Sequence, residues 1–217
     1  MKTLKNDWVI GVIILLPFVF VATFWSQFPD EIATHFNKRG EPDNYSGKAF
    51  GLLLFPLVNL ALYGMFKALP YIDPSKKNYS IFSGSLKIIQ MTIHTFMTFI
   101  FFVIALYALG IVVDTQKVVF YGVLLLFLIL GNYMSTLRQN YFVGIRTPWT
   151  LADETVWVKT HRLAGKLWVF STLIMMVIIA LLPDPYPVFI GYVLVIALVP
   201  TVYSYILFRK KEQTGNL

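Results

Sequence analysis

The chain has 217 residues, 57% of them hydrophobic and 13% charged, with a net charge of +7. An average soluble domain carries about 25% charged residues, so this shortfall and the long uncharged runs place the chain in the membrane class. It contains no cysteine, which excludes disulfides, thiol catalysis and thiolate metal sites.

A membrane helix needs about 20 apolar residues. Six stretches meet or approach that length, at residues 8–28, 49–69, 86–110, 117–137, 166–183 and 187–208, the fifth being the shortest. The predicted fold is an all-α integral membrane protein with six transmembrane helices and an amphipathic cytoplasmic segment before the fifth. In linear order, 1–137 forms a four-helix membrane part with an external loop at 29–48, and 138–217 forms a polar segment plus helices 5 and 6. Trp8, Trp25, Tyr71, Tyr107, Tyr121, Trp168 and Tyr186 sit near span ends, as an aromatic belt requires. Lys2 and Lys5 precede the run from Trp8 to Trp25. That run exceeds the apolar core of about 7–15 residues of a cleaved signal, and no small-x-small site follows it, so it reads as the first membrane helix.

The first loop is punctuated by Pro29, Gly40, Pro42 and Gly47. Asp30, Glu31, Glu41 and Asp43 surround His35 in sequence. Such a set can hold a divalent cation, but no ligand spacing matches a known metal site. The expectation is a hydrogen-bonded cap, with no metal and no cofactor. The second span carries Pro56, which predicts a kink, and Asn59. The loop 70–84 that follows reads as an ordinary cytoplasmic connector. In the third span Gln90, His94, Met97 and Phe101 share one helix face. An ionisable residue inside a membrane is a functional candidate; a neutral imidazole bonded to Asn59 or Asn132 is the favoured reading. The third loop, around Asp114, and the fifth, Leu182–Pro187 with three prolines, are short, and Pro200 predicts a kink in the sixth span.

Lys and Arg set the orientation. Lys2, Lys5, Lys67, Lys76, Lys77, Lys87, Arg138, Arg146, Lys159, Arg162, Lys166, Arg209, Lys210 and Lys211 fall on one side, against Lys38, Arg39, Lys48 and Lys117 on the other. This bias places both termini in the cytoplasm. It also accounts for the net charge without a direct nucleic-acid role.

The stretch from 138 to 168 departs from its greasy surroundings. Thr150 to Asp153 forms a capping-box pattern preceded by Pro148. A helix starting there should run unbroken into the fifth span or bend at Gly165. At about 100° per residue, Lys159, Arg162 and Lys166 line one ridge, suited to anionic headgroups. Glu154, Trp157, His161 and Trp168 take the opposite face. Arg146 precedes Thr147 and Pro148 in a turn from which it can reach a carboxylate or phosphate, and Asn140 belongs to the same polar turn. An interfacial helix anchored by tryptophans needs no ligand, yet a polar face of aromatic, imidazole and acid exceeds what anchoring requires.

Asn140-Tyr-Phe-Val-Gly-Ile-Arg-Thr-Pro-Trp-Thr-Leu151, with Val156-Trp157, Lys159-Thr-His-Arg162 and Gly165, resembles the signature of the bacterial SdpI-type immunity proteins. Pro29-Asp-Glu-Ile-Ala-Thr-His-Phe36 with Gly40-Glu-Pro-Asp43 resembles the domain of unknown function that commonly precedes it; Ala33 stands where that motif often has a proline. The resemblance implies a multi-pass protein of the bacterial plasma membrane that protects a cell from a secreted hydrophobic peptide toxin. It also implies a signalling role, in which a soluble repressor is held at the membrane. Candidate toxin- or partner-binding residues are then Pro29, His35, Phe36, Glu41 and Asp43 outside, and Asn140, Gly144, Arg146, Thr147, Pro148, Trp149, Trp157, Lys159, His161 and Arg162 inside. The competing reading is a transporter of lipid or a small substrate, which kinked helices and His94 would serve, though internal symmetry is not evident. No enzyme is expected: the chain has no HExxH, GxSxG or membrane aspartate pair.

Overall fold

A computed structural model describes residues 7–111 and 114–215. Its elements are α1 (Asp7–Phe24), a 3-10 turn (Trp25–Gln27), β1 (Glu31–Phe36), β2 (Pro42–Gly47), α2 (Lys48–Ile72), a second 3-10 turn (Lys76–Ser80), α3 (Ser83–Ala108), α4 (Thr115–Met134), α5 (Pro148–Ala152), α6 (Glu154–Leu181) and α7 (Tyr186–Gln213). Among the described residues six helices are long and apolar enough to cross a membrane: α1 with its following turn, α2, α3, α4, α6 and α7. The chain is thus an all-α multi-pass membrane protein, with one two-stranded hairpin inserted between its first two spans. Lys2 and Lys5, which contribute to the orientation argument, lie outside the described residues.

Large apolar side chains face outward along the spans, among them Val12, Leu15, Val19, Leu57, Leu60, Phe170, Ile174, Leu194 and Leu198. In water such surface would aggregate; against hydrocarbon it carries no cost. Two compact units contribute the interior, Met1–Met65 with Gln90–Val123 and Phe66–Ile89 with Leu124–Leu217.

In the first unit, Val21, Phe28, Ile32, Leu52, Phe101, Ile104 and Ala105 form a buried cluster. Phe20 meets Phe28, Phe101 and Phe102 edge-on. Below this lies a polar knot. His94 is fully buried and its Nδ1 bonds Asn59 Oδ1 at 2.7 Å. Since that oxygen only accepts, Nδ1 carries the proton. Asn59 Nδ2 donates to the His94 carbonyl at 3.2 Å and to Thr98 Oγ1 at 3.3 Å, and Thr98 donates to the Ile13 carbonyl at 3.0 Å. The imidazole therefore bonds Asn59, one of its two expected partners, and ties α1, α2 and α3 together.

The loop 29–48 is more ordered than its turn residues suggested. β1 and β2 pair antiparallel, with irregular register between Ala33 and Phe36. Ile32 joins the buried cluster and Ala33 is buried beside it, while Glu31 and His35 are exposed; two successive buried residues break simple alternation, next to the irregular register.

In the second unit the fifth span begins twelve residues earlier than the apolar run alone indicates, at Glu154, and continues unbroken through Gly165 to Leu181. The basic ridge is therefore the start of a membrane helix. No bend forms at Gly165, where the missing side chain serves packing: a Cβ there would stand 2.9 Å from the Gly131 carbonyl of α4. Backbone cannot move aside as a flexible side chain can. Gly165→Val should accordingly lower stability by about 1–3 kcal/mol, read as an earlier unfolding transition of the purified protein in detergent.

Candidate functional site

The segment between α4 and α6 must turn the chain through residues 135–147 without regular structure, so its backbone groups need other partners. Asn140 supplies four of them from a fully buried position. Its Oδ1 accepts from the amides of Phe142 (2.9 Å) and Val143 (2.6 Å), and its Nδ2 donates to the carbonyls of Arg138 and Val143, both at 2.9 Å. The whole bonding capacity of the carboxamide is spent on the turn.

The chain then passes Gly144, whose φ of +113° lies in the left-handed region. A Cβ at this position would meet His161 Nε2 at 2.5 Å. His161 and Trp157 rise from α6 beneath the turn, both fully buried, with rings stacked 4.1 Å apart. Nε2 of His161 accepts from the Ile145 amide at 3.0 Å, and Nδ1 bonds the Trp157 carbonyl at 2.8 Å. The two partners fix a neutral imidazole with its proton on Nδ1. Trp157 Nε1 donates to the Leu137 carbonyl at 2.9 Å. Two aromatic side chains of one helix thus clamp both limbs of the turn.

Thr147 caps α5. Its hydroxyl accepts from the Thr150 amide while the Thr150 hydroxyl accepts from the Thr147 amide, and Pro148 occupies the first turn. The capping box therefore starts at Thr147, three residues before the position that the sequence pattern suggested. Asp153 begins a separate helix instead, because its carboxylate accepts from the Val156 amide at 2.8 Å. Lys211 of α7 donates to the same carboxylate at 2.5 Å. Burial would raise the Asp153 pKa, but these donors outweigh it and hold the carboxyl below its usual value. On α7, Ser204 Oγ lies 3.1 Å from Thr147 Oγ1, and Tyr205 packs on Trp149 with ring centroids 5.0 Å apart.

The loop after α2 is a structural partner of this segment and not a plain connector. Asp73 is buried and accepts from the Ser75 amide (2.7 Å), the Tyr79 hydroxyl (2.8 Å) and the Tyr141 amide (2.9 Å). Burial and the adjacent carboxylate push the Tyr79 pKa upward, so its hydroxyl stays a donor. Asn78 Nδ2 donates to the Gln139 carbonyl at 2.7 Å. Sequence reading missed Asp73. The Asp-Pro-Ser string reads equally as a surface turn, and only its distant donor, Tyr141, shows otherwise.

Burial sorts the candidates of this segment. Asn140, Thr147, Trp157 and His161 are buried with their polar atoms engaged, and Gly144 gives them room. Arg146, Pro148, Lys159 and Arg162 are exposed. Arg146 Nη1 donates to the Tyr141 carbonyl at 2.8 Å, so its guanidinium is held at the surface with donors to spare. Among the described residues Lys159 and Arg162 form no ion pair.

The hairpin candidates lie in the other unit. His35 Nδ1 bonds Asp43 Oδ1 across the strands, both exposed. Phe36 meets Tyr107 edge-on at 5.2 Å, Glu41 accepts from Asn37 Nδ2 at 3.1 Å, and Pro29 is exposed. Gln116 at the start of α4 donates to the Lys38 carbonyl, tying down the hairpin tip. Among the described residues no three His, Asp or Glu groups approach one another as metal ligands.

Residues 136–204 match the SdpI/YfhL protein family, and residues 12–60 match a domain of unknown function, DUF1648. The chain is 28% identical over 215 residues to a Bacillus subtilis (strain 168) protein named Immunity protein SdpI, an alignment covering 95% of this chain and 98% of that one. No solved structure matches. The resemblance carried by the two motifs is borne out.

If the clamp acts as described, Gly144→Ala should be more damaging than its one added methyl suggests, because left-handed strain and the His161 contact add. His161→Leu leaves the Ile145 amide without its acceptor and should cost about 1–3 kcal/mol. Thermal unfolding of the two variants in detergent measures both.

Proposed function

We propose that this chain, whose residues 136–204 match the SdpI/YfhL protein family, is a membrane immunity protein protecting its cell against a small hydrophobic peptide toxin. The observation that carries the reading is the likeness to an immunity protein along almost the whole chain, including hairpin and signature segment alike. In this reading the termini and the signature segment face the cytoplasm, and the hairpin faces out. The distribution of Lys and Arg supports that orientation. The hairpin, with its exposed His35, Asp43 and Tyr45, meets the incoming peptide. The exposed ridge of Lys159, Arg162 and Lys166, set on a rigid helix, offers a surface for an acidic soluble partner such as a repressor. Such a contact would be steered by charge and weakened by salt.

Expression in a toxin-sensitive strain should raise survival on peptide challenge; unchanged killing removes the immunity reading. The double reversal Lys159→Glu/Arg162→Glu should abolish recruitment of the soluble partner to the membrane while sparing protection. Loss of both together with loss of expression would point to misfolding. Orientation is separable. The chain lacks cysteine, so single cysteines at Tyr45 and Lys159 can be labelled in intact cells with a membrane-impermeant maleimide. Labelling at 45 alone is expected, and labelling of both from outside contradicts the two-faced arrangement.

A further inference from the structure

Within the Phe66–Ile89 and Leu124–Leu217 unit, an open cleft of about 430 Å³ is lined by Ile88 of α3, Leu128, Ile129, Asn132 and Tyr133 of α4, and Val169 of α6. This volume falls within the range of about 300–1,000 Å³ typical of small-molecule sites. The cleft lies near one end of the membrane span, because Ile88 is in the second turn of α3 and Asn132 and Tyr133 are in the last turn of α4. Its floor is aliphatic. Its polar groups are one carboxamide and one phenol, and no acid lines it.

Two features are unexplained by folding. Asn132 is exposed, and no described residue hydrogen-bonds its carboxamide. A polar group left beside hydrocarbon without a partner is costly. The second feature is charge. Lys166 stands one helical turn before Val169 on the same face of α6, while Lys87 precedes Ile88 about 100° around α3, at the flank of the cleft and within reach of a headgroup through its long side chain. Neither lysine forms an ion pair with a described residue. Lys159, Arg162, Lys166 and Val169 recur at i, i+3, i+7 and i+10, so the exposed basic ridge leads along α6 into the cleft.

We propose that this cleft binds an anionic phospholipid. An acyl chain lies along Ile88, Leu128, Ile129 and Val169, and the glycerol-ester region pairs with Asn132 and Tyr133. The phosphate is drawn by Lys87 and Lys166. The order apolar, then amide and phenol, then ammonium follows the order of a phospholipid from tail to headgroup. A zwitterionic lipid fills the same cleft but brings a cation of its own to the two lysines, so charge complementarity favours the anionic class. The site requires only that the chain span a bilayer and is independent of any immunity role.

The test is native mass spectrometry of the full-length protein, released from detergent containing equal amounts of phosphatidylglycerol and phosphatidylcholine with identical acyl chains. The wild type should retain phosphatidylglycerol preferentially, by about fivefold per lysine. Lys87→Gln/Lys166→Gln should bring the ratio close to unity while some lipid remains bound. Ile129→Trp fills the cleft without changing charge and should reduce retention of both lipids. Equal retention by the wild type, or a preference unchanged in the double variant, overturns the proposal. Undiminished retention in Ile129→Trp overturns the location. Helicity by circular dichroism accompanies each variant. Should the tryptophan variant lose helicity, Asn132→Leu takes its place, and unchanged retention there overturns the location equally.

Discussion

An irregular loop at the edge of a bilayer must satisfy its backbone polar groups from within the protein. Here Asn140 meets four of those needs, and the turn is seated on His161, one fully buried imidazole that accepts the Ile145 amide on one nitrogen and bonds its own helix on the other. Everything nearby follows from that seat. Gly144 has no side chain because the ring occupies the space. Trp157 stacks beneath the ring and reaches the other limb of the turn at Leu137. Asn140 closes the turn over them, and Asp73 ties it to the preceding loop through Tyr141.

The consequence for function is a division of labour within one motif. Residues that look chemical, a histidine, an asparagine and a tryptophan, are spent on building the platform. The residues left for a partner are Arg146, Pro148, Lys159 and Arg162, all exposed. A charged surface on a pre-formed scaffold is suited to recognition, as the immunity role proposed for this chain requires. The same basic line runs on toward the cleft at Val169, so lipid and protein partners would share one stripe of charge.

Apolar length made the six spans legible, and charge spacing made the ridge legible, since Lys159, Arg162 and Lys166 are indeed exposed together. The Asn59–His94 pairing was legible because a membrane interior leaves a histidine few partners. Other features were not. The hairpin was hidden because β2, Pro-Asp-Asn-Tyr-Ser-Gly, has poor strand propensity, and its pairing with β1 decides its form. The early start of α6 was hidden by charge: residues 154–166 are too polar to register as a span, yet helix propensity and the Asp153 cap extend the helix through them. Asp73 needed a donor 68 residues away to be recognised.

Hydrogen–deuterium exchange of the protein in a lipid nanodisc, followed over the peptide containing residues 140–150, addresses the platform directly. The account predicts slow exchange at the Val143, Ile145 and Thr147 amides despite the absence of regular structure from 140 to 147, and faster exchange at Ile145 once His161 is replaced by Leu. Exchange at the rate of a free loop in the wild type, indifferent to that replacement, would contradict it.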